Sequence, residues 1–444
     1  MSDVPPNGLT ATDALEKIRE GWVSSVELTQ ACLERIKQTD DQVHAWVQVD
    51  HEMALAQAEE MDAIRRAGKP LGTLHGIPVA LKDIIDTIDY PTEYGTKACA
   101  GRQPDADAQI VNHLREAGAV ILGKTATAEL AYVSPPKTRN PHNPEHSPGG
   151  SSSGSAAAVA AYHVPLSIGT QTGGSVIRPA SYCGTFGFKP TSGVIPRTGI
   201  LQTSNTLDQP GVFGRSLQDV ALLCDALAGY DPTDAASYPR PRPKLSKGLL
   251  ADVPVEPDFA WIDLPFNDRL SSDCRDGMEE IVSSLDGRVE RIQAPDFFAG
   301  LLETQQKIHE YELCHHLEDL LNKNWENISE KLKANVERGR SITQAEYDDA
   351  KALRGQVIEF FGEFFMDFDA IITPAATGEA PRYDEGHTGD PAFCQVWTLA
   401  GLPCLSLPLL VGENNLPIGV QLVGGHEEDD RLFRTASWLL TELG

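Results

Sequence analysis

The sequence predicts an α/β fold, with one large mixed β-sheet and helices on both faces, forming a single domain over residues 1–444. Two observations support this prediction. Short apolar runs of strand length alternate with helical patterns along the chain, and this alternation is typical of layered α/β proteins. The content of 41% hydrophobic and 23% charged residues is that of a globular chain that buries a core.

The composition also excludes several classes of partner and location. The net charge of −27 would repel phosphate backbones, so nucleic acid is not an expected partner. The N-terminal segment MSDVPPNGLT lacks the basic and apolar regions of a secretory signal, and no apolar run reaches the roughly 18 residues of a membrane span. The eight cysteines show no C-x-x-C pairing. We therefore expect a cytoplasmic protein with reduced thiols and no contact with a membrane.

The N-terminal part, residues 9–68, is predicted to be helical. Ser24 and Glu27 have the spacing of a capping box, in which each side chain bonds the backbone of the other residue. A second helix is predicted from about Glu52, and Gly68 is the residue expected to end it. The next predicted elements are a strand over 76–83, a helix over 108–117 and a strand over 119–122.

Small residues dominate the middle of the chain. An alanine-rich run over 156–161 predicts a buried helix, and strands are predicted over 166–169 and 185–188. A helix is predicted over 212–229, followed by a loop over 231–247. The last predicted elements are strands over 370–374, 404–408 and 419–423, and a helix that begins at the acidic run 427–430.

Three short patterns resemble catalytic or nucleotide-binding motifs but stand in the wrong context. The segment from Gly118 to Thr125 matches G-x-x-x-x-G-K-T, yet a helix precedes it and its spacer is a predicted strand. Residues 150–154 match the G-x-S-x-G nucleophile elbow, which must follow a buried strand rather than a proline-rich loop. The segment from Ser134 to Lys137 matches S-x-x-K but contains two prolines. We expect none of the three to be functional.

Residues of one predicted helix resemble a set of metal ligands. His309, Glu312 and His316 would share a helix face. The pattern is not H-E-x-x-H, because position 313 is a leucine. A polar helix face that lines a pocket is therefore favoured, and no metal is expected.

Two clusters rich in glycine and serine, 149–155 and 172–175, flank the alanine-rich run. Glycine lets a reacting group approach the backbone closely, and consecutive N–H groups suit an oxyanion hole. A serine nucleophile also needs a base, and no histidine lies beside a serine in a recognisable motif. Lys82, at the end of an apolar strand, is the best candidate, since burial would keep a lysine neutral. A salt bridge between Lys82 and Asp83 is the structural alternative.

The chain resembles the amidase signature family of serine hydrolases over nearly its whole length. The separation of Ser151 and Ser175 fits that family, and the matching segments are 76–83, 149–156, 169–175, 188–191 and 416–421. The resemblance implies the amidase signature fold. It also implies hydrolysis of the C–N bond of a small or medium carboxylic amide to a carboxylate and ammonia or an amine.

The resemblance further implies a role for each residue of these motifs. Ser175 aligns with the nucleophile, Ser151 with a bridging serine that follows a cis peptide bond, and Lys82 with the base. The N–H groups around the oxyanion would be those of Thr172, Gly173, Gly174 and Ser175. Neither a metal nor an organic cofactor is needed for this acyl-enzyme mechanism.

Within this family the motifs are most similar to those of malonamidase, notably in segment 175–180 and in Gln171, which replaces the aspartate common in the family. The resemblance implies that Arg178 holds a substrate carboxylate, for which a guanidinium is suited, while a bracing role is the alternative. A second carboxylate-binding arginine of malonamidase falls at Val133 here, which leaves room for a larger or less charged acyl group. The predicted substrate site therefore consists of Arg178, Tyr132, Val133 and Gln171.

Three functions stay open at this point. The first is a stand-alone amidase, for which a small-molecule amide is the partner and a homodimer is the family-level expectation. The second is a glutamine-amidotransferase A-type subunit of the same fold, which supplies ammonia to partner proteins. A non-catalytic scaffold is disfavoured by the intact Lys82, Ser151 and Ser175. The pocket walls are predicted from residues 132–139, 300–320 and 377–388.

Overall fold

One β-sheet runs through residues 4–444, the part of the chain that the computed structural model describes. Its eleven strands are, in chain order, Trp46–Val49 (β1), Pro78–Lys82 (β2), Val120–Thr125 (β3), Leu166–Gln171 (β4), Phe186–Lys189 (β5), Gln209–Gly214 (β6), Phe259–Asp263 (β7), Val289–Gln293 (β8), Ala370–Pro374 (β9), Cys404–Val411 (β10) and Pro417–Val423 (β11). Their order across the sheet is β1-β3-β2-β4-β6-β5-β10-β11-β9-β7-β8. The sheet contains parallel and antiparallel pairs, which confirms the predicted mixed α/β fold.

Helices flank the sheet on both faces, as predicted. Over the same residues they are Ala11–Glu20 (α1), Ser25–Val43 (α2), His51–Arg66 (α3), Gln109–Glu116 (α4), Ser153–Ala160 (α5), Ile177–Cys183 (α6), Leu217–Leu227 (α7), Leu245–Leu249 (α8), Ser272–Ser284 (α9), Leu301–His316 (α10), Glu318–Lys323 (α11), Glu330–Ser341 (α12), Gln344–Phe364 (α13), Ala392–Ala400 (α14) and Asp429–Leu443 (α15). Their apolar sides join the sheet in one large hydrophobic core, and Tyr182, Ala376, Ala380 and Leu416 form a small second cluster. None of the described helices has both the length and the apolar character that crossing a membrane would require.

Parallel pairing near one end of the sheet gathers the predicted catalytic segments. Strand β2 lies between β3 and β4 and runs parallel to both. The carboxyl ends of parallel strands meet at one edge of a sheet, where the connecting loops form a crevice. Lys82 ends β2, and Gln171 ends β4. The predicted base and the second glycine-serine cluster therefore emerge side by side.

The centre of the sheet, from β4 to β9, is antiparallel. Strand β6 pairs with β4 in a register that sets Gln209 opposite Gln171. The residues just before Gln209 therefore lie against the loop that follows β4. This register brings a distant segment of the chain to the predicted nucleophile.

Several predicted boundaries are confirmed. In the capping box, Ser24 Oγ accepts from Glu27 N at 3.0 Å, and Glu27 Oε2 accepts from Ser24 N at 2.7 Å. Gly68, which adopts φ 65°, follows directly on the end of α3. The strand predicted over 370–374 is β9, and the last helix begins within the acidic run, at Asp429.

The helix predicted over 212–229 is wrong at its start. Residues Gln209–Gly214 form a strand buried over its whole length, and α7 begins only at Leu217, after the cap Ser216. A short buried strand and a buried helix share the same apolar composition, so the hydrophobic pattern does not separate them. Strand β1 is also missing from the prediction, because it lies in a region predicted to be helical throughout.

The G-x-x-x-x-G-K-T segment belongs to the sheet, since β3 extends beyond its predicted end at 122. A Cβ at Gly123 would lie 2.1 Å from the carbonyl oxygen of Gln48 on β1, so strand packing requires this glycine. Lys124 is fully buried, and its Nζ lies 3.3 Å from Asp83 Oδ1. Both residues of the pattern therefore serve packing inside the sheet.

Candidate active site

Lys82 lies at the end of β2 with no exposed surface. Its Nζ donates hydrogen bonds to Ser151 Oγ at 2.7 Å and to Thr170 Oγ1 at 2.9 Å. A cis peptide bond joins Gly150 to Ser151, as the resemblance implies. The predicted base and the predicted bridging serine are therefore in direct contact. Thr170, the other partner of Lys82, is a site residue that the sequence analysis missed.

Burial controls the protonation of Lys82. Loss of hydration lowers the pKa of its ammonium group to about 7, while the charge of Asp208 acts in the opposite direction. A large fraction of Lys82 is then neutral near pH 7 and can accept a proton. The alternative pairing with Asp83 is not what the structure shows, because the Asp83 carboxylate lies 3.3 Å from Lys124 Nζ.

Ser175 lies in the turn between β4 and α6, half-buried, and faces a cavity. Across residues 4–444, no hydrogen bond uses the N–H groups of Gly173, Gly174 or Ser175. A Cβ at Gly174 would lie 3.1 Å from Cys394 Cβ, a tight contact that glycine avoids where the turn approaches α14. The turn thus presents three successive N–H groups beside a hydroxyl, the arrangement that an oxyanion hole needs.

Side chains from distant elements hold the carbonyl groups of this turn. Gln305 Nε2 on α10 donates to the carbonyl oxygen of Thr172 at 2.9 Å. Thr398 Oγ1 on α14 donates to the carbonyl oxygen of Gly173 at 2.7 Å. Because peptide groups are planar, holding the carbonyls also fixes the direction of the following N–H groups. Neither Gln305 nor Thr398 has a local signal in the sequence.

Gln171 is predicted to contact substrate, and the structure corrects this placement. Its side chain is fully buried, and its Oε1 accepts from Val176 N at 2.8 Å and Ile177 N at 3.0 Å. Its Nε2 donates to Thr398 Oγ1 at 2.9 Å. With its polar groups satisfied inside the protein, Gln171 lies behind the turn of Ser175 and braces it.

The cavity in front of Ser175 has a volume of about 600 Å³. All three predicted segments contribute to its walls, through residues such as Tyr132, Gln306 and Thr388. The structure adds Arg269, residues of α12, residues 389–391 and Gln395, none of which the sequence analysis places there. Pockets of this size accommodate small ligands.

Tyr132 and Val133 both line the cavity, as predicted. The hydroxyl of Tyr132 donates to Glu310 Oε1 at 2.9 Å, and its ring meets the ring of His309 edge-on with centroids 4.7 Å apart. Val133 presents an apolar surface where the comparison with malonamidase places an arginine. Val133 itself therefore brings no charge to the wall.

Arg178 borders the cavity and is only 5% exposed. Its Nη2 donates to the carbonyl oxygen of Gly150 at 2.5 Å and to Thr388 Oγ1 at 3.1 Å. Its Nε has no partner in the described part of the chain. Asp390, whose charge acts on Arg178, is itself paired with Arg269 at 3.0 Å. The guanidinium thus braces the first serine cluster and keeps donors for a ligand, so the bracing and binding roles are compatible.

The polar residues of α10 do not converge on one point. His309 Nε2 lies 3.0 Å from Thr203 Oγ1, at the cavity wall. Glu312 instead accepts from Thr206 N at 3.0 Å, and His316 is exposed. The helix face lines the pocket through His309, in keeping with the favoured interpretation.

The serines of the two remaining patterns use their hydroxyls in hydrogen bonds within the fold. Ser152 has no exposed surface, and its Oγ donates to the carbonyl oxygen of Thr170 at 3.2 Å. Ser134 Oγ lies 2.6 Å from Ser329 Oγ, and Lys137 is exposed. Both serines are engaged in structural contacts.

The chain has relatives that match it from end to end. Residues 27–433 match the family model described as amidase. The chain is 33% identical over 491 aligned positions to the A-type subunit of glutamyl-tRNA(Gln) amidotransferase from Salinispora arenicola, with 100% of this chain and 99% of that protein covered. A structure described as a vestigial protein complex that reveals the origins of an s-triazine catabolic enzyme is 28% identical, with a TM-score of 0.92 and 98% of both chains covered. Peptide amidase from Stenotrophomonas maltophilia is also 28% identical, with a TM-score of 0.81 and coverage of 99% and 97%.

These similarities correct the narrower resemblance stated from the sequence. They support the amidase fold and amide chemistry, but they do not point specifically to malonamidase. The relatives at 33% identity are amidotransferase subunits.

Proposed function

This chain belongs to the amidase family and acts on amide C–N bonds, and on this basis we propose that Ser175 is its nucleophile, Ser151 its proton bridge and Lys82 its base. The substrate in this proposal is a small or medium carboxylic amide, cleaved to a carboxylate and ammonia or an amine. The observation that carries the proposal is the 2.7 Å contact between Lys82 Nζ and Ser151 Oγ in a fully buried environment.

The first half of the proposed reaction forms an acyl-enzyme. Neutral Lys82 takes the proton of Ser151 while Ser151 takes the proton of Ser175. Ser175 Oγ bonds to the carbonyl carbon, and the N–H groups of Gly173, Gly174 and Ser175 bind the oxyanion. When the C–N bond breaks, the proton returns through Ser151 to the leaving nitrogen, and ammonia or an amine departs.

The second half regenerates the enzyme with the same groups. A water molecule gives a proton to the relay of Ser151 and Lys82 as its oxygen bonds to the acyl carbon. The bond to Ser175 Oγ then breaks, Ser175 recovers its proton, and the carboxylate product leaves. Each proton that Lys82 takes is returned within the cycle.

The charges around the cavity favour a substrate that carries a carboxylate. Arg178 follows Ser175 by three residues and borders the same cavity, and its buried Nε has no partner in the described part of the chain. Lys331 also lines the cavity, and it makes a long hydrogen bond to the carbonyl oxygen of Gly386 at 3.4 Å. A guanidinium that stays charged while buried attracts an anion more strongly than one in bulk water.

A second candidate function is an amidotransferase subunit that passes ammonia to partner proteins. Its support is the 33% identity to the A-type subunit of glutamyl-tRNA(Gln) amidotransferase over nearly the full length of both chains, and this similarity favours it over a stand-alone amidase. The net charge of −27 and the uncharged side chain of Val133 give no separate support to it. Both candidates share the same chemistry at Ser175.

Ammonia or amine release by the purified chain alone separates the two candidates. The substrates would be glutamine, malonamate, an aliphatic amide and an anilide. Turnover of any of them without added protein supports the stand-alone amidase. Glutamine hydrolysis that depends on added amidotransferase partner subunits supports the second candidate, and a chain inactive under both conditions would contradict the proposed chemistry.

The assembly and location follow from the chosen candidate. A stand-alone amidase is proposed to form a homodimer, whereas an amidotransferase component would form a complex with other chains. Light scattering on the purified chain measures this directly. All eight cysteines are buried and free, which suits the proposed cytoplasmic location, where thiols stay reduced.

The rate of the proposed reaction should depend on the protonation of Lys82. Protonated Lys82 has no lone pair for the proton of Ser151, so only the neutral form is active. Since the pKa of Lys82 is lowered to about 7, we expect kcat/KM to rise with pH up to that region and to level off above it. Rates measured from about pH 5 to about pH 9 test this. A rate that falls with rising pH across the same range would argue against a lysine base.

The substitution Arg178→Gln should separate the two roles of this residue. Glutamine carries no charge, and its amide nitrogen takes the position of the arginine Nε, two bonds short of the Nη2 that donates to Gly150. The lost brace affects both substrate classes alike, whereas the lost charge affects only the carboxylate-bearing amides. We expect KM for carboxylate-bearing amides to rise roughly tenfold to a hundredfold, the size of a lost charged hydrogen bond. Uncharged amides should change by only a few-fold. Equal losses for both substrate classes would leave Arg178 with the bracing role alone.

A further inference from the structure

The segment before β6 places the carboxylate of Asp208 close to the proposed reaction centre. Asp208 precedes Gln209, and the register of β6 against β4 sets Gln209 opposite Gln171. Asp208 therefore lies beside Thr172, the first residue of the turn that carries Ser175. The Thr172 hydroxyl donates to Asp208 Oδ1 at 2.5 Å, and only 8% of Asp208 is exposed.

The Asp208 carboxylate is held rigidly by its own loop. Its Oδ2 accepts from Thr203 N at 2.6 Å and from Ser204 N at 2.9 Å. The Thr203 hydroxyl donates to Oδ1 at 3.1 Å. Three donors from this loop and one from Thr172 thus surround a single carboxylate, which ties the two segments together.

Asp208 also lies at the same small cavity as Thr170, the residue that contacts the base. Thr170 and Thr172 are two residues apart, on the same side of the chain as it leaves β4. Together with Asp208 they line a cavity of about 10 Å³, which is about the size of one water molecule. On its other side, Thr170 Oγ1 accepts from Lys82 Nζ at 2.9 Å.

We infer that Asp208 is a positioning residue for the proposed reaction. Its carboxylate anchors the oxyanion turn through Thr172 and supplies the negative charge that acts on Lys82 from behind Thr170. This inference rests on the proposed function, since it assigns Asp208 a role toward Ser175 and Lys82.

Other charged groups near Asp208 are already paired or act on other parts of the fold. Arg197 lines the same small cavity, but its Nη2 lies 2.7 Å from Asp234 Oδ1. His309 contacts Thr203 at 3.0 Å, and burial lowers its pKa. Glu312 accepts from Ser204 Oγ on the far side of the loop. On β2, the Asp83 carboxylate pairs with Lys124 at 3.3 Å.

Two matched variants separate the charge of Asp208 from its hydrogen bonds. In Asp208→Asn the shape and an acceptor for Thr203 N are kept, but the charge is removed. In Thr172→Val the charge is kept, but the hydrogen bond to the turn is lost. If Asp208→Asn fails to fold, Asp208→Ser serves as a second uncharged variant, with room for a water in place of the carboxylate.

The readout is labelling of the full chain by an alkyl fluorophosphonate, followed by intact mass spectrometry across a range of pH. In this reaction a bond forms between Ser175 Oγ and phosphorus, the P–F bond breaks, and fluoride leaves. The hydroxyl proton passes through Ser151 to Lys82. The rate therefore reports both the nucleophile and the protonation of the base, without needing the natural substrate.

A negative charge favours the protonated form of a lysine, so its removal favours the neutral form. We expect Asp208→Asn to move the midpoint of the labelling profile down by about one pH unit. We expect Thr172→Val to leave the midpoint in place and to lower the plateau rate roughly tenfold, because the turn is less well held.

The outcomes distinguish this inference from the function on which it rests. If Ser175→Ala is labelled as fast as the wild type, the proposed nucleophile is wrong, and the role of Asp208 falls with it. If Ser175 is labelled but the midpoint of Asp208→Asn stays that of the wild type, only the inference about Asp208 is overturned. A midpoint that moves equally in Thr172→Val would assign the effect to the structure of the turn instead of the charge.

Discussion

Replacing Ser175 by alanine is expected to lower kcat/KM for amide hydrolysis by about 10⁴-fold or more. The substitution removes the only atom that can bond to the acyl carbon in the proposed mechanism. It leaves the three N–H groups of the turn and the cavity in place, so substrate should still bind. The measurement is the initial rate of ammonia or amine release on the best amide of the panel.

A matched control for this variant lies in the first serine cluster. Ser152 occupies the nucleophile position of the G-x-S-x-G pattern but is fully buried, with its Oγ 3.2 Å from the carbonyl oxygen of Thr170. We expect Ser152→Ala to keep its rate within about tenfold of the wild type, since it loses two long hydrogen bonds to the backbone of Thr170. The assignment of Ser175 fails if Ser152→Ala loses the activity and Ser175→Ala keeps it.

Replacing Lys82 by methionine is expected to lower kcat/KM by about 10²-fold to 10⁴-fold, the usual contribution of a positioned base. Methionine has a similar length but neither charge nor lone pair for a proton. The fold should persist, because an apolar side chain avoids the cost of burying an ammonium group. The rate should also lose its rise with pH, which the same assay shows.

Lys124 provides the control for Lys82, because it is equally buried on the neighbouring strand. Its Nζ lies 3.3 Å from Asp83 and 2.5 Å from Thr92 Oγ1, with no contact to the reacting serines. We expect Lys124→Met to destabilise the protein by about 3 kcal/mol, because it leaves the Asp83 carboxylate buried and unpaired. The folded fraction should keep the pH dependence of the wild type. A normal pH profile in Lys82→Met would exclude Lys82 as the base.

Much of the site could be predicted because its motifs are local. Lys82, Ser151 and Ser175 each stand in a short segment whose glycines and apolar residues have a recognisable order. The cavity position of Arg178 was predictable in the same way, since it follows Ser175 on the next helix. The role of Gln171 was not predictable, because the direction of a side chain at the end of a strand depends on the residues that pack against it. In this protein Thr398 and the start of α6 take up its polar groups.

The errors in the fold prediction have a related cause. The run before Leu217 is apolar in a way that fits both a buried strand and a buried helix. Its identity as β6 is settled by backbone pairing with β4 and β5. Pairing partners come from other parts of the chain, so a local pattern does not contain them.

The sequence by itself determined the fold class, the family and the three residues proposed to carry the reaction, since each depends on the order of neighbouring residues. The tertiary structure decided which other groups surround these three residues. Thr170 contacts Lys82, Thr398 and Gln305 hold the turn of Ser175, and the charge of Asp208 acts on Lys82. The physical reason is that sheet register and burial bring these groups together. The hydrogen bond of Thr398 to Gly173 spans 225 residues of chain, and burial under the whole fold is what lowers the pKa of Lys82 to about 7.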